Sequence, residues 1–163
     1  MVRTLTLGDG LIPVDLLHSG ICHIEASKLI FKANPYFYDS AGYLAHMSAE
    51  LLLKAWLLQE AQKFKAIHNL SELYQELVDA HGAMPLSAEH ERVLGLLDVY
   101  EQLRYPNRDK PTEVGDGDWP AIEAFIHYLY SCLPSSLHDA LDQVKPFEKD
   151  GRELMRRRIE TQT

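Results

Sequence analysis

The stretch from Asp39 to Gln62 constrains the fold more than any other part of the 163-residue chain. It contains no proline, and apolar residues recur every three or four positions, as they do on one face of an α-helix. Further apolar residues widen that face until it nearly surrounds the helix, which is typical of a helix packed on several sides. We therefore predict a central helix here. Its apolar positions are Leu44, Met47, Leu51, Leu52, Leu53, Ala55, Trp56, Leu57 and Leu58.

Four further segments have the same helical period, and each has residues that favour a start or a stop. Asn69 and Ser87 are suitable N-caps, because their side-chain oxygens accept hydrogen bonds from the free N–H groups of a first turn. Gly82 and Pro106 are natural terminators. The segments are bounded by Pro13 and Asn34, Asn69 and Gly82, Ser87 and Pro106, and Asp118 and Pro134, and a shorter piece runs from Leu137 to Val144.

No run alternates apolar and polar residues with the period of a β-strand, so we predict no strand. Four or five amphipathic helices joined by short loops define an all-α fold, an antiparallel up-and-down bundle. We expect this bundle to occupy residues 13–145. An irregular lead-in over residues 1–12 precedes it, and a charged helix or tail over residues 146–163 follows it.

Charge and composition limit the classes of function. The chain has 16 Lys and Arg against 24 Asp and Glu, a formal net charge of −8, which disfavours a broadly basic nucleic-acid surface. It has no apolar run of membrane length and no secretion signal, so we expect a cytoplasmic protein without membrane contact. Two cysteines are too few for a disulfide framework. The run Arg156–Arg158 is either part of a solvated terminus or a contact for an acidic partner.

Ionic side chains share one edge of the predicted central helix. Asp39, His46, Glu50 and Lys54 follow one another at spacings of seven, four and four residues. Burying an unpaired charge is costly, so these groups must be paired or must face a cleft. Two interpretations stay open. Either Glu50 and Lys54 form an ion pair with His46 nearby, or the edge is a polar groove, between helices or subunits, that holds a ligand.

A second polar group follows the fourth predicted helix. Arg104, Arg108 and Lys110 lie within a few residues of its end. The helix dipole attracts cations to this position without any function. The same side chains can bind phosphate, arginine through its bidentate fork. His46 and Glu50 form only half of a metal site, so we predict no metal and no cofactor.

Three short motifs, taken together, resemble those of the HEPN superfamily of helical domains. They are Ala49-Glu50-x-x-x-Lys54-Ala55, His68-x-Leu70 and Arg104-Tyr105-Pro106. The resemblance covers about residues 13 to 145. It implies a bundle of four or five helices, often dimeric, that is commonly encoded beside a nucleotidyltransferase or in a defence or toxin–antitoxin setting.

The resemblance also bears on catalysis. One branch of the superfamily cleaves RNA without metal, using an arginine followed four to six residues later by a histidine. No histidine follows Arg104 or Arg108 at that spacing. We therefore expect a protein that is not an enzyme.

The leading hypothesis is a non-catalytic binding module that acts as a homodimer. It would engage a partner protein, such as a nucleotidyltransferase or an antitoxin, or else a nucleotide or RNA, through a polar groove between helices. The candidate ligand-binding residues are His46, Glu50, Lys54, Arg104 and Arg108. The alternative is a divergent, metal-independent ribonuclease of a toxin–antitoxin or defence system, in which His46 or His68 replaces the missing histidine.

Overall fold

Helix α2 (Tyr38–Ala61) is the axis of the structure, a computed structural model that describes residues 2–82, 84–105 and 107–143. Fourteen of its 24 residues are buried. It contacts α1 (Pro13–Ala33), α3 (Leu70–His81), α4 (Ala88–Tyr100) and α5 (Trp119–Cys132). The predicted central helix and the predicted all-α bundle are both confirmed.

The remaining described elements are short. Residues 135–143 are helical and form α6, as far as the described residues extend. Single 3₁₀ turns occupy Leu7–Asp9, Pro35–Phe37, Glu101–Arg104 and Asp116–Asp118. The charged segment predicted over residues 146–163 lies outside the described residues. None of the described helices has both the length and the apolarity that a bilayer span requires.

Three of the predicted helix starts are confirmed, and two of them have the side-chain cap that their sequence predicts. The Asn69 side chain accepts a hydrogen bond from the N–H of Glu72 at 2.7 Å, and Ser87 accepts one from the N–H of His90 at 3.1 Å. Asp118 does precede α5, but its side chain makes no capping hydrogen bond. Its carboxylate lies 3.6 Å from the guanidinium of Arg92 on α4 instead.

Helix α3 has a further cap that comes from another helix. The carboxylate of Asp98 on α4 accepts hydrogen bonds from the backbone N–H groups of Leu70 and Ser71, at 2.5 and 3.1 Å. These groups belong to the first turn of α3 and have no partner within their own helix. The contact therefore fixes the start of α3 against α4.

A small sheet corrects the prediction that the chain has no strand. Strand β1 (Thr4–Thr6) pairs antiparallel with β2 (Lys63–Lys65), and Leu5 lies opposite Phe64. The predicted irregular lead-in is thus wrong for residues 4–9, which form β1 and a 3₁₀ turn. Strands of three residues are too short to show a period of two. Tertiary packing supports them instead, since Phe64 is buried in the core.

Helices α1 and α2 approach each other closely at Gly20. A Cβ atom at this position would lie 2.5 Å from Cδ1 of Leu52 and 3.3 Å from the carbonyl oxygen of Ser48. Both neighbours are buried in the α1–α2 contact, so neither has free space to move into. Glycine is therefore the residue that allows the two helices to pack at this distance.

We expect Gly20→Ala to lower the free energy of unfolding by about 1–2 kcal/mol, because the strain of an extra methyl group exceeds its gain in helix propensity. Gly95→Ala on α4 is the matched control. An added Cβ at Gly95 meets no atom within 4 Å, so this variant should gain about 0.5–1 kcal/mol. Urea unfolding followed by circular dichroism measures both. Equal stability of the two variants would contradict the close packing at Gly20.

Candidate functional site

Side chains from the predicted polar edge of α2 come together around the carboxylate of Glu50, which is 3% exposed. Nζ of Lys54 lies 2.5 Å from Oε1 of Glu50, and Nδ1 of His68 lies 3.0 Å from Oε2. Nε2 of His46 lies 3.3 Å from Oε2. We refer to Glu50, His46, Lys54 and His68 as the Glu50 cluster.

The Glu50 cluster joins α2 to three other parts of the fold. His46 donates a hydrogen bond from Nδ1 to the carbonyl oxygen of Leu97 on α4, at 2.8 Å. The ammonium of Lys54 lies 5.4 Å from the centre of the Phe64 ring on β2. His68 precedes α3 by two residues. The contacts of one carboxylate and its partners therefore position α4, β2 and the start of α3.

His46 lies close to Glu50 but is poorly aligned with it. Although the two atoms lie 3.3 Å apart, Nε2 of His46 makes no well-aligned hydrogen bond to any described residue. Lys54 and His68 therefore supply the directed hydrogen bonds to the carboxylate.

Opposing influences set the pKa of Glu50. Burial is the largest of them and raises the pKa, because it disfavours the charged form. The contacts from His46, Lys54 and His68 together outweigh burial and lower the pKa from 4.5 to about 2. The carboxylate is thus ionised at neutral pH, although it lies in the core.

The Glu50–Lys54 ion pair is the one that the first interpretation of the polar edge predicted. His46 is 0% exposed and Lys54 is 7% exposed, so these side chains face the core of the bundle. Asp39, at the N-terminal end of the same edge, is exposed and takes no part in the cluster. The polar edge of α2 is therefore buried from His46 to Lys54 and exposed at Asp39.

An open cavity of about 230 Å³ lies where α2 begins. Asp39 forms one wall, and the segment that follows α4 forms the other. We refer to it as the Arg108 pocket. Its lining residues are Asp39, Gln102, Leu103, Asn107, Arg108, Lys110, Pro111 and Thr112.

The wall opposite Asp39 is held in place by close packing and by a local turn. A Cβ atom at Gly42 would lie 2.8 Å from Val114 and 3.0 Å from Leu103, so the segment packs directly against the first turns of α2. The Asn107 side chain accepts hydrogen bonds from the N–H groups of Asp109 and Lys110, at 2.9 and 3.3 Å. An Asx turn of this kind fixes the backbone that carries Arg108.

The five candidate residues do not form one site. His46, Glu50 and Lys54 meet in the buried cluster, whereas Arg108 lines the pocket. Arg104 is exposed outside the lining, with its guanidinium 5.5 Å from the centre of the Tyr105 ring. No hydrogen bond or ion pair between described residues links either arginine to the Glu50 cluster.

The cations of the second polar group lack counter-ions in the part of the chain that the structure describes. Four other lysines and arginines among the described residues pair with acids, as in Lys28–Glu123 and Arg92–Glu89, whereas the exposed Lys63 and Lys65 do not. Arg104, Arg108 and Lys110 have no such ion pair there. The residues described also contain no group of three or more histidine, cysteine or acidic side chains that could hold a metal ion.

Gln102 and Thr112 of the pocket lining were not predicted. Neither residue stands out in sequence, because an isolated amide or hydroxyl side chain is ordinary on a surface. The turn at Asn107 could have been predicted from the sequence, because asparagine side chains commonly accept a hydrogen bond from the backbone N–H two residues later, in an Asx turn.

Comparison with known proteins agrees with this architecture. The family model described as HEPN domain matches residues 15–124, which is more than half of the chain. The chain therefore belongs to the HEPN domain family, as its motifs indicated. A search of curated proteins and a search of solved structures each found no significant match.

We expect Glu50→Gln to lower the free energy of unfolding by about 3–5 kcal/mol at pH 7, because it leaves the Lys54 ammonium buried without its counter-charge. Glu113→Gln is the control, since Glu113 is exposed and its change should stay within about 0.5 kcal/mol. Denaturant unfolding measures both variants. A loss no larger than that of the control would contradict a stabilising role for the Glu50 cluster.

The same carboxylate predicts how stability depends on pH. Because the folded pKa of Glu50 is about 2 and its ordinary value is 4.5, its contribution is fully present above about pH 5 and is lost as the pH falls toward 2. Between these limits we expect the wild type to lose about 3 kcal/mol more than Glu50→Gln does. Parallel stability profiles for the two proteins would contradict the lowered pKa.

Proposed function

We propose that this chain is a non-catalytic HEPN module, a homodimer that binds a phosphate-bearing ligand, either a nucleotide or RNA, at the Arg108 pocket. The observation that carries the proposal is an open cavity lined by two cations, Arg108 and Lys110, that have no counter-ion among the described residues. Guanidinium and ammonium groups bind phosphate oxygens through charge-assisted hydrogen bonds. Gln102 and Asn107 add neutral amide groups to the same lining.

The Glu50 cluster serves this binding site indirectly. It fixes α2 within the bundle, and the first turn of α2 forms one wall of the Arg108 pocket. Glu50 and Lys54 are buried and bonded to each other, and Nδ1 of the more exposed His68 is bonded to Glu50. The segment after α4 offers a more open surface to a ligand. Arg104 lies four residues before Arg108 and adds a further exposed cation to that surface.

The positions of the histidines favour binding over RNA cleavage. His46 is fully buried and bonded to Leu97. His68 is more exposed, but its Nδ1 is engaged by Glu50. Neither follows an arginine at the spacing that the catalytic HEPN branch uses. A divergent ribonuclease therefore has less support than a binding module.

The proposed homodimer would form on a face of α2 that the bundle covers only in part. Tyr43, Leu44, Met47 and Leu51 lie along this face and are each half-buried. They lie outside the main cluster of core residues. HEPN domains often dimerise, and an uncharged apolar stripe can pack against its own copy across a two-fold axis. A nucleotidyltransferase or an antitoxin is the alternative occupant of this face.

We expect Met47→Asp to convert a wild-type dimer into a monomer, because it places a charge at the centre of the stripe. Val99→Asp is the control, since Val99 is an exposed apolar residue on α4. Size-exclusion chromatography with light scattering gives the mass of each protein, and circular dichroism verifies that each is folded. A wild-type protein that is monomeric at tens of micromolar would contradict the homodimer.

We expect inorganic phosphate and AMP to bind at low ionic strength, and Arg108→Gln to weaken both by about tenfold or more, since it removes a charge-assisted hydrogen bond. Lys65→Gln is the matched control, because it removes one charge from an exposed position on strand β2. Isothermal titration calorimetry measures the affinities. Failure of both ligands to bind, or an equal loss in both variants, would contradict a phosphate site at Arg108.

A further inference from the structure

The apolar stripe of α2 that the proposed homodimer uses is small for an interface. Its four residues, Tyr43, Leu44, Met47 and Leu51, are each half-buried within their own chain. A stable protein–protein interface buries about 800 Å² on each partner and involves roughly 20–30 residues of each. The stripe alone does not supply that area, so the contact between the two copies must extend along α2.

Toward the C-terminal end of α2, the β1–β2 sheet covers the face that carries the stripe. Lys54 and Leu58 follow Leu51 at spacings of three and four residues, so they lie on the same face, and both are buried. The ammonium of Lys54 lies 5.4 Å from the centre of the Phe64 ring of β2, which is 2% exposed. The sheet therefore rises above the stripe at this end of the helix.

The outer face of the sheet is basic. Leu5 and Phe64 pack toward the core, so the residues that alternate with them in each strand face away from it. On β2 these residues are Lys63 and Lys65, and both are exposed. Neither lysine forms an ion pair within the described part of the chain. Two positive charges without a counter-ion thus lie beside the C-terminal end of the stripe.

Toward the N-terminal end of α2, the stripe leads to exposed aromatic rings. Tyr36 lies eight residues before Leu44, about two helical turns, in the 3₁₀ turn that leads into α2. Tyr36 is 85% exposed and Phe37 is 50% exposed. The Asn34 side chain fixes this turn by accepting a hydrogen bond from the N–H of Tyr36 at 2.9 Å. An aromatic side chain on a fixed backbone loses little conformational entropy when a partner covers it.

A two-fold axis at Met47 relates these two ends of α2. Phe37 lies ten residues before Met47, and Leu58 lies eleven residues after it. Along the helix these residues are therefore about 15 and 16 Å from the axis. When the α2 helices of two copies run antiparallel, the aromatic turn of each copy lies opposite the sheet of the other.

Charge favours the antiparallel arrangement over the parallel one. With parallel helices, Lys63 and Lys65 of one copy face the same lysines of the other, and like charges across an interface are unfavourable. The two raised sheets would also meet at the same level and hold the stripes apart. With antiparallel helices, the ammonium groups face aromatic rings, whose π-electrons attract cations.

We infer that this surface binds a second copy of the chain in antiparallel orientation, with Tyr36 of each copy packed on the outer face of the partner's sheet, against Lys63 and Lys65. The inference rests on the proposed homodimer and names the contact that completes its interface. The two-fold axis repeats the contact, so a change at Tyr36 removes it twice from each dimer.

Sedimentation equilibrium of the full chain measures the dissociation constant of the dimer. We expect Tyr36→Ala to weaken the dimer by about tenfold or more, because two aromatic contacts are lost. Tyr105→Ala is the matched control, since Tyr105 is a tyrosine with 69% exposure that follows α4, and it should leave the constant unchanged. In a Lys63→Gln, Lys65→Gln background, the effect of Tyr36→Ala should fall to about threefold or less, because the partner groups are absent.

Disulfide cross-linking tests the orientation of the two copies in a Cys22→Ser, Cys132→Ser background. Under mild oxidation, Tyr36→Cys should link to Lys63→Cys or to Lys65→Cys when the two proteins are mixed. A tag on one protein resolves the mixed dimer on a non-reducing gel. Tyr36→Cys alone should not link to itself, because the antiparallel arrangement places its two copies at opposite ends of the interface.

Three results would overturn the inference while the homodimer stands. They are a Tyr36→Ala dimer as stable as the wild type, an effect of Tyr36→Ala that is undiminished in the double lysine variant, and a cross-link of Tyr36→Cys to itself instead of to the sheet. A wild-type protein that stays monomeric in the same experiments would contradict the proposed homodimer and this inference together. The face of α2 would then be left to a nucleotidyltransferase or an antitoxin.

Discussion

The buried charge of Glu50 is the constraint on which the rest of the structure depends. A carboxylate in a protein core is tolerated only when it is paired and hydrogen-bonded. Lys54 meets that requirement from α2 itself, and His68 meets it from the segment before α3. His46, whose Nε2 lies 3.3 Å from the same carboxylate, is held by the backbone of α4. Because these partners come from separate elements, satisfying one charge also fixes how the elements pack.

Helix α2 changes its environment along its length. Its middle carries the Glu50 cluster, surrounded by alanines such as Ala45, Ala49 and Ala55 that are 0% exposed and let neighbouring helices come close. Its first turn is exposed and forms one wall of the Arg108 pocket. Two of the three family motifs, Ala49-Glu50-x-x-x-Lys54-Ala55 and His68-x-Leu70, thus help to hold the bundle together. We propose that the polar segment after α4 provides the surface for a ligand.

Features set by local sequence were predictable, and features set by long-range contacts were not. The caps at Asn69 and Ser87 involve atoms three residues away, so the sequence reveals them. Asp98 caps α3 from 28 residues beyond Leu70, and Asp118 turns toward Arg92 instead of capping α5. The strands β1 and β2 have too few residues for a pattern, and they exist because the two segments meet against the core.

The sequence by itself determined the central helix, the all-α bundle, the HEPN motifs and the lack of an arginine–histidine pair at catalytic spacing, since each depends on residues close together in the chain. Only the tertiary structure decided that the ionic edge of α2 faces the core at Glu50 but solvent at Asp39. It alone brought Asp39 into one cavity with Arg108 and Lys110. The physical reason is that the exposure and the electrostatic environment of a side chain depend on which distant elements pack against it. The helical periodicity of the sequence does not identify those elements.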